Sequence, residues 1–471
     1  MFELSRDSTV PLVDQIAERI TGLVAHGQLP VGARLPSIRK LAKLIGASPF
    51  TIVDAYDRLV ARGLIESRAG RGFFVSGRRL ASPLLAIEAM VDSNADPGSD
   101  ALALARLSLS PSADIIAAGS GFLPENWLME AMPGATLNRL SRGRRPQAWL
   151  QCPPQGLYEL REQIAARLVQ QGIAASAANI VTTFGASQAF DLLGRILFSP
   201  GDAVLVEDPG YFVLFEQLRG QHVNLVPIPR TVNGPDVEVL ENACRIHRPR
   251  VFFTQTLLHN PTGYNSQPAI CHRVLSLAEQ YKFAIVEDDV YGELHTGPAV
   301  RLAQIDGLRQ VIYVSSFTKL IGPALRVGYV AADPALIAQL VERKVLSVLS
   351  GSALLEGFVS EALDSGRYRK HIETVRARVA RMRRDARHAL ESAGLAFAAE
   401  DGEGLFLWGQ VPEHTPVDKL VRAAREHSIL LARGSLFSPA KGCGQWLRFN
   451  VAHSTAPPLI GFLQNALSAA A

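Results

Sequence analysis

The chain has 471 residues, more than one hydrophobic core normally serves, and we therefore expect at least two domains. Hydrophobic residues make up 48% and charged residues 20% of the sequence, which is typical of a globular protein. Its four cysteines form no CxxC pair and no uncharged apolar run is long enough to cross a bilayer, which argues against a zinc site, a disulfide framework and a membrane span.

The positive charge is confined to one end of the chain. Residues 1–80 hold 12 Lys and Arg against 7 Asp and Glu, whereas the remainder holds 36 against 37, so this end accounts for the formal net charge of +4. A basic module joined to a nearly neutral domain is typical of nucleic-acid-binding proteins, although a solvated basic face gives the same balance. Without a signal peptide or a metal-ligand pattern, we expect a cytoplasmic, metal-free protein.

Three helices are predicted in the first part of the chain. Apolar residues at helical spacing indicate a first helix that begins near residue 11 and ends near Gly27. Ser37 is a good N-cap for a second helix, and Gly46 can take the left-handed conformation that ends it. Ser48 caps a third helix with Pro49 at its first position.

The third helix is followed by two short predicted strands, 64–67 and 73–76, which form a wing. We expect the apolar side chains of the helix to face inward, namely Ile52, Val53, Tyr56, Leu59 and Val60. The order of helix, helix, turn, helix and wing is that of a winged helix-turn-helix, which places the start of its last helix in the major groove of DNA. A three-helix dimerisation module with solubilising arginines remains the alternative.

The residues expected to contact DNA lie before and in the second helix, at the start of the third, and in the wing. Hydroxyl and backbone groups at the start of the third helix would approach bases and phosphates, and the arginines would neutralise phosphates. This set comprises Arg34, Arg39, Ser48, Phe50, Thr51, Arg71 and Gly72.

Five short runs in this module carry a family signature. They read PLVDQI at 11–16, GARLPSIR at 32–39, GAS at 46–48, AY at 55–56 and RGFFV at 71–75. Together they resemble the GntR-family winged helix nearly end to end. The resemblance implies that residues 1–76 form a GntR-type DNA-binding domain, and that one partner of the chain is a double-stranded DNA operator.

Residues 77–113 change in character and are predicted to be a linker. Polar residues with Pro and Gly favour a flexible tether. The apolar segments 84–91 and 102–109 could instead form short helices that dock on the larger domain, and the sequence leaves both alternatives open.

Beyond residue 114, short β-type runs alternate with longer amphipathic segments. This alternation predicts an α/β domain with a mainly parallel sheet covered on both faces, in which ligands bind beyond the carboxyl ends of the strands. The clearest predicted strands are 179–183, 203–207, 251–254, 283–287, 311–315 and 327–331.

Polar motifs follow these strands at the expected edge. They are GASQ at 185–188, NPTG at 260–263, Asp288 with Tyr291, SFTK at 316–319 with Arg326, and WLRFN at 446–450. Each motif alone has an ordinary structural explanation, such as a turn, an N-cap or a solvated lysine. Their joint order and their placement at strand ends indicate one ligand site, with a phosphate held at the start of the helix after the first motif.

This set resembles the fold-type I pyridoxal 5′-phosphate (PLP) enzymes of the aspartate aminotransferase class over about 115–471. The resemblance implies an aminotransferase-like domain at 114–471 with a smaller α+β C-terminal subdomain from about 340. It implies that Lys319 forms the Schiff base with PLP and that Asp288 stays ionised beside the pyridine nitrogen. It also implies that Asn260 and Tyr291 hydrogen-bond the phenolic oxygen of the cofactor.

The same resemblance assigns the remaining site residues. Tyr211 would stack on the pyridine ring, and Arg448 would bind the carboxylate of an amino-acid ligand. The phosphate would be held by Ala186, Ser187, Ser316 and Arg326. One position departs from the family: Gln151 stands where aminotransferases usually have a tyrosine that reaches the phosphate of the partner subunit, which puts full turnover in doubt.

The fusion of these two domains, in this order, resembles the MocR family of bacterial regulators. The resemblance implies a homodimeric transcription regulator that responds to PLP, alone or with an amino-acid or amine effector. Two rivals remain open. One is a working aminotransferase with an accessory winged helix, and the other is a PLP-insensitive repressor with a relic large domain.

Overall fold

The structure is a computed structural model that describes residues 11–25, 29–68, 71–76, 97–109, 115–128, 152–398 and 402–468. The chain forms two compact units, Met1–Asn94 and Ala95–Ala471. Gln151, the expected first-helix end near Gly27 and the candidate helix at 84–91 lie outside the described residues.

The first unit has the predicted order of a winged helix. It contains helices α1 (Leu12–Ala25), α2 (Ile38–Ile45) and α3 (Pro49–Ala61) and strands β1 (Ile65–Arg68) and β2 (Gly72–Val75). The two strands pair antiparallel, with Ile65 opposite Val75. The caps are those predicted, since the Ser37 hydroxyl accepts from Lys40 N and the Ser48 hydroxyl from Thr51 N, and Gly46 has a φ of 64°.

The inner face of α3 is narrower than predicted. Ile52, Tyr56 and Leu59 are fully buried, but Val53 and Val60 are 37% and 38% exposed, so their predicted inward orientation was wrong. Each valine follows a core residue by one position, and one position rotates a side chain by about 100° around a helix. The two valines therefore lie on the flank of the helix.

The second unit contains thirteen described helices and two sheets. The helices are α4 (Pro97–Leu109), α5 (Glu125–Leu128), α6 (Tyr158–Gln170), α7 (Gly185–Leu197), α8 (Phe212–Gly220), α9 (Val237–His247), α10 (Pro268–Tyr281), α11 (Leu302–Asp306), α12 (Pro334–Val348), α13 (Ala353–Asp364), α14 (Arg367–Ser392), α15 (Val417–Glu426) and α16 (Pro457–Ser468). Of the two alternatives for the predicted linker, the structure has a helix at 97–109. This helix buries Ala101 and Leu104 in the core of the second unit.

The large sheet has eight strands in the order β3-β10-β9-β8-β7-β4-β5-β6. They are β3 (Ile180–Thr183), β4 (Ala203–Asp208), β5 (Asn224–Thr231), β6 (Gly234–Pro235), β7 (Val251–Thr254), β8 (Ala284–Asp288), β9 (Val311–Ser316) and β10 (Gly328–Ala331). Strands β9, β8, β7, β4 and β5 run parallel, whereas β10 is antiparallel to both of its neighbours. The predicted mainly parallel sheet is confirmed.

Both faces of this sheet are buried, as the alternation of helices and strands predicts. Along β4, Val204 and Val206 belong to one hydrophobic cluster and Leu205 belongs to the other. Successive side chains of a strand point to opposite faces, so one cluster lies on each face. A second, three-stranded sheet contains β11 (Phe406–Gln410), β13 (Trp446–Asn450) and β12 (Ala432–Arg433), in that order.

None of the described helices is both long and apolar enough to cross a membrane. Within the same residues, histidine, cysteine and carboxylate side chains do not gather in groups of three or more that could hold a metal ion.

Candidate functional site

Residues that follow strands β3, β7, β8 and β9 line one cavity of about 350 Å³ in the second unit. Every side chain that the sequence analysis assigned to the cofactor or to a carboxylate lies on its wall. These residues are Ala186, Ser187, Tyr211, Asn260, Asp288, Tyr291, Ser316, Lys319, Arg326 and Arg448.

One end of the cavity is suited to an anion. Helix α7 begins at Gly185, directly after β3, and no side chain caps its first N–H groups. Arg326 lies beside this helix start and donates from Nη2 to the Phe184 carbonyl at 2.9 Å. Gly185 has a φ of 75°, and a Cβ there would lie 2.9 Å from the Arg326 guanidinium. The glycine therefore lets the arginine approach the helix start, where N–H groups and the helix dipole favour a phosphate.

Lys319 follows β9 in a short 3₁₀ turn. The Nζ atom donates to the Gly121 carbonyl at 3.1 Å and lies 3.8 Å from the centre of the Phe122 ring. Burial, and then the positive charges of Arg448 and Arg326, lowers the pKa of this amine to about 7. A substantial fraction of Lys319 is therefore a neutral, nucleophilic amine at neutral pH.

Asp288 is the last residue of β8 and is buried. Its carboxylate accepts from Gln255 Nε2 at 2.8 Å and from the Val290 N–H at 3.3 Å. Burial outweighs these hydrogen bonds and raises the pKa of the Asp288 carboxyl to about 7. In the chain by itself, this carboxyl is thus poised between its two protonation states near neutral pH.

Gln255 is a site residue that the sequence analysis missed. It lines the cavity, and its side chain bridges two predicted site residues, donating to Asp288 and accepting from the Asn260 N–H at 2.8 Å. Its position directly after β7 could have identified it, because polar residues at the ends of other strands were predicted to form the ligand site for that reason.

Arg448 lies in the middle of β13, 2% exposed. Its guanidinium donates to the Asn260 side-chain carbonyl at 2.8 Å and to the Gly119 carbonyl at 2.6 Å. The rings of Phe406 and Phe437 lie 4.4 Å and 4.7 Å from it. Among the described residues no carboxylate pairs with this guanidinium, and burial lowers its pKa to about 10, which leaves it cationic at neutral pH.

Two tyrosines complete the wall of the cavity. The Tyr291 hydroxyl donates to the Gly121 carbonyl at 3.3 Å, the same carbonyl that accepts from Lys319. Tyr211 precedes α8, and burial raises the pKa of its hydroxyl to about 12. Both side chains are therefore neutral hydrogen-bonding groups at neutral pH.

The predicted DNA-contacting residues lie at the surface of the first unit. Arg34, Arg39, Ser48 and Arg71 are exposed, and the Phe50 side chain is 85% exposed at the start of α3. Hydroxyls of Ser48 and Thr51 are 2.8 Å apart on the first turn of that helix. Arg34 pairs with Phe74 in the wing, and a Cβ on Gly72 would lie 3.7 Å from the Arg34 guanidinium. The structure thus brings Arg34 and Gly72 together, and it places Ser48, Phe50 and Thr51 together at the start of α3. Arg39 lies on α2 and Arg71 lies directly before β2.

Comparisons with known proteins cover both units. The model of the family "Bacterial regulatory proteins, gntR family" matches residues 12–75, and that of "Aminotransferase class I and II" matches 130–459. The HTH-type transcriptional regulator YdcR of Escherichia coli is 30% identical over 449 residues, 93% of this chain and 94% of its own length. The probable rhizopine catabolism regulatory protein MocR of Rhizobium meliloti is 27% identical, over 80% of this chain and 76% of its own.

Among solved structures, the chain is similar in fold to the α-aminoadipate aminotransferase LysN of Thermus thermophilus. The two share 24% identity and a TM-score of 0.71, over 82% of this chain and 97% of LysN. Aminotransferases of this class generally use PLP. On the two matching families and the regulators that share both domains, this chain belongs to the MocR-type regulators, in which a GntR-type winged helix is joined to an aminotransferase class I and II domain.

Proposed function

We propose that the chain is a homodimeric, DNA-binding transcription regulator whose large domain binds PLP and senses it, alone or together with an amino-acid or amine effector. One observation carries this proposal: a buried lysine with a lowered pKa lies in the same cavity as an anion-binding helix start and a buried carboxyl. We place the DNA-binding domain at 1–76 and the PLP-binding domain at 114–471, joined by residues 77–113, of which α4 packs in the core of the second unit.

The groups around the cavity fit PLP in their chemistry. Its phosphate requires N–H and cationic donors, which the start of α7 and Arg326 offer. Two cavity-lining residues carry buried polar atoms without a hydrogen-bond partner among the described residues, Thr318 Oγ1 and Arg448 Nε, as expected where a polar ligand belongs. When bound, PLP supplies an aldehyde that condenses with amines and a ring that withdraws electrons from the product.

The residues of this chain would each control one part of that chemistry. Lys319 would supply the neutral amine for the aldehyde carbon, with water as the leaving group, because burial keeps much of this amine unprotonated. Asp288 supplies the carboxylate for the ring nitrogen, whose positive charge would hold the carboxyl ionised despite its raised pKa. Asn260 uses its side-chain carbonyl on Arg448, which leaves its amide nitrogen to donate to the cofactor.

The effector would enter through its amine and its carboxylate. Arg448 is the cation suited to the carboxylate, since Phe406 and Phe437 fix its plane and no described acidic side chain neutralises it. The effector can move the DNA-binding domains only if it binds more tightly to one of their arrangements than to the other. Contacts of Arg34, Arg39 and Arg71 with phosphates, and of the first turn of α3 with bases, would hold the operator.

The proposal is tested by the absorption spectrum of the purified full-length protein with added PLP, before and after borohydride, followed by peptide mapping. Once unbound PLP has been removed, wild type should show a cofactor band and a reduced PLP adduct chiefly on Lys319, whereas Lys319→Ala should keep only the background from surface lysines. Lys370→Ala, which removes an exposed lysine of α14, is the matched control and should behave as wild type. A main adduct on another lysine, or no band in wild type, would refute the cofactor assignment.

A second candidate function is that of an aminotransferase with an accessory DNA-binding domain, which the complete set of cavity residues favours. Steady turnover of an amino donor and an oxo acid at about 1 per second or faster would support it, since enzymes commonly reach such rates. A single half-reaction without turnover would instead support the regulator.

A further inference from the structure

The cavity continues beyond the groups assigned to PLP and to a carboxylate. Its remaining wall includes Ala105, Ser108 and Leu109 of α4 and Phe122, which precedes α5. None of these four side chains is ionisable, and three are apolar. This part of the wall is open to an effector side chain, because none of its residues is assigned to the cofactor or the carboxylate.

The charged side chains of the cavity are already used. Among the described residues, those on its wall are Asp288, Lys319, Arg326 and Arg448. In the proposed function these face the ring nitrogen, the aldehyde, the phosphate and the effector carboxylate, in that order. A second carboxylate on the effector would therefore lose part of its hydration to the apolar wall without gaining a free cation among them, which is costly.

The apolar side chains are placed to contact the rest of the effector. The Phe122 ring lies 3.8 Å from Lys319 Nζ, so it lies beside the point at which an amine would react. Leu109 is 61% exposed although it lines the cavity, whereas Ala101 and Leu104 of the same helix are buried and hold α4 in place. An apolar ligand group against Leu109 would remove this surface from water, which is favourable.

We propose that the effector is an amino acid with a single carboxylate and an apolar side chain, and that Leu109 and Phe122 select it against dicarboxylic amino acids. This inference rests on the proposed function, because it uses Lys319 and Arg448 to orient the amine and the carboxylate. It deepens that function by naming the chemical class that the site accepts.

The experiment is a titration of the PLP-loaded full-length protein with L-leucine and with L-glutamate, read by the cofactor absorption band and by calorimetry. L-leucine should bind at least about 10-fold more tightly than L-glutamate, the ratio that corresponds to 1.4 kcal/mol. Equal or tighter binding of L-glutamate would overturn the inference, as would a protein whose band and heat signal respond to neither amino acid.

A pair of variants on α4 tests the role of Leu109. Leu109→Arg should shift the preference toward L-glutamate by about 10-fold or more, because it supplies the missing cation. Leu102→Arg is the matched control, since Leu102 is 47% exposed on the same helix and does not line the cavity. The control should keep the wild-type preference, and an equal effect of both substitutions would overturn the assignment of Leu109.

The effector class and the cofactor assignment can be refuted separately. If borohydride traps PLP on Lys319 but L-glutamate is preferred, or neither amino acid binds, the effector class is wrong and the cofactor assignment stands. If no cofactor band forms at all, the proposed function fails and the effector class fails with it.

Discussion

At Lys319 the protein sets the reactivity of one amine through three neighbours. Burial removes water from the ammonium form, and Arg448 and Arg326 repel its positive charge, so all the main influences lower its pKa in the same direction. Asp288 opposes them only weakly. The result is a lysine whose titration falls in the neutral range, unlike an exposed lysine with a pKa of about 10.4.

We therefore expect PLP capture by the apoprotein to depend on pH with a midpoint near 7. Above this pH the amine is neutral and the rate should be constant, whereas below it the rate should fall by about tenfold for each pH unit as the ammonium form accumulates. Stopped-flow absorbance after mixing with PLP measures this profile. A midpoint near that of an exposed lysine would show that the amine is not buried as described, and Lys319→Ala gives the background from surface lysines.

Gln255 allows a second prediction at the scale of a single residue. Its Nε2 hydrogen bond favours the ionised form of Asp288, which the ring nitrogen of PLP would require in the proposed function. Gln255→Leu should therefore weaken PLP binding by about 10-fold, since a hydrogen bond to a charged group contributes about 1.5 kcal/mol. Equilibrium dialysis measures the dissociation constant. Gln267→Leu, which removes an exposed amide that donates to Asn233, should leave the constant unchanged.

At the scale of elements, the sequence predicted best where a local rule and a long-range rule agreed. The cap residues Ser37 and Ser48 determine the starts of α2 and α3. The apolar runs predicted at 179–183, 251–254 and 311–315 form strands β3, β7 and β9. The parallel sheet then brings the ends of separate strands to one edge, which is why motifs far apart in sequence, such as NPTG and SFTK, line one cavity.

The elements that escaped prediction depend on tertiary contacts. Strand β5 was not predicted because Pro227 and Pro229 interrupt it, yet residues 224–229 pair with β4. Prolines are tolerated at the margin of a sheet. Helix α4 was ambiguous, since its apolar residues acquire a partner only when the core of the second unit is present. The role of Gln255 required knowledge of where Asp288 lies in space.

Two glycines of the first unit should respond in opposite ways to substitution by alanine. Gly46 ends α2 with a φ of 64°, so Gly46→Ala should destabilise the unit by about 1 kcal/mol. Gly22 lies inside α1 with no atom within 4 Å of an added Cβ, so Gly22→Ala should stabilise it by about 0.5–1 kcal/mol. Hydrogen exchange of the α1–α3 amides in the full-length chain measures both. Changes of the same sign in the free energy of unfolding would contradict the roles given to these two glycines.

A buried ion pair joins the neighbouring strands β4 and β5. Arg230 donates to the Glu207 carboxylate at 2.5 Å with both side chains buried, and although burial alone would raise the pKa of Glu207, Arg230 and His259 lower it to about 2. Arg230→Met would leave a buried carboxylate without its cation and should cost about 3–5 kcal/mol of unfolding free energy. Arg250→Met, which breaks a more exposed pair with Asp202, should cost about 1 kcal/mol or less.

Tryptophan fluorescence during denaturant unfolding is a suitable measurement for this pair, because all four tryptophans of the chain follow residue 94 and report on the second unit. If Arg230→Met and Arg250→Met lower the free energy of unfolding by similar amounts, burial does not determine how much the Glu207–Arg230 pair contributes to stability.

At the scale of the whole molecule, charge and chemistry are divided between the two units. The excess of Lys and Arg lies in residues 1–80, where it would attract a polyanion, whereas the cations Lys319, Arg326 and Arg448 of the second unit line one cavity. Attraction to DNA phosphates is screened by salt, while buried contacts in a cavity are screened far less. Salt should therefore separate the two functions, weakening DNA binding strongly and PLP binding little.

The arginines of the first unit give this division a quantitative test. Arg39 is exposed on α2, so Arg39→Ala should remove one phosphate contact and reduce the slope of log K against log salt by about 0.9 for each bound module. Arg58→Ala is the control, because Arg58 pairs with Asp14 and Asp54 and should affect the stability of the unit more than the slope. Fluorescence anisotropy with a random-sequence duplex measures both variants, since phosphate contacts are independent of base sequence. An unchanged slope for Arg39→Ala would mean that Arg39 does not contact DNA phosphates. Equal changes of the slope in both variants would mean that Arg58 contacts DNA despite its ion pairs with Asp14 and Asp54.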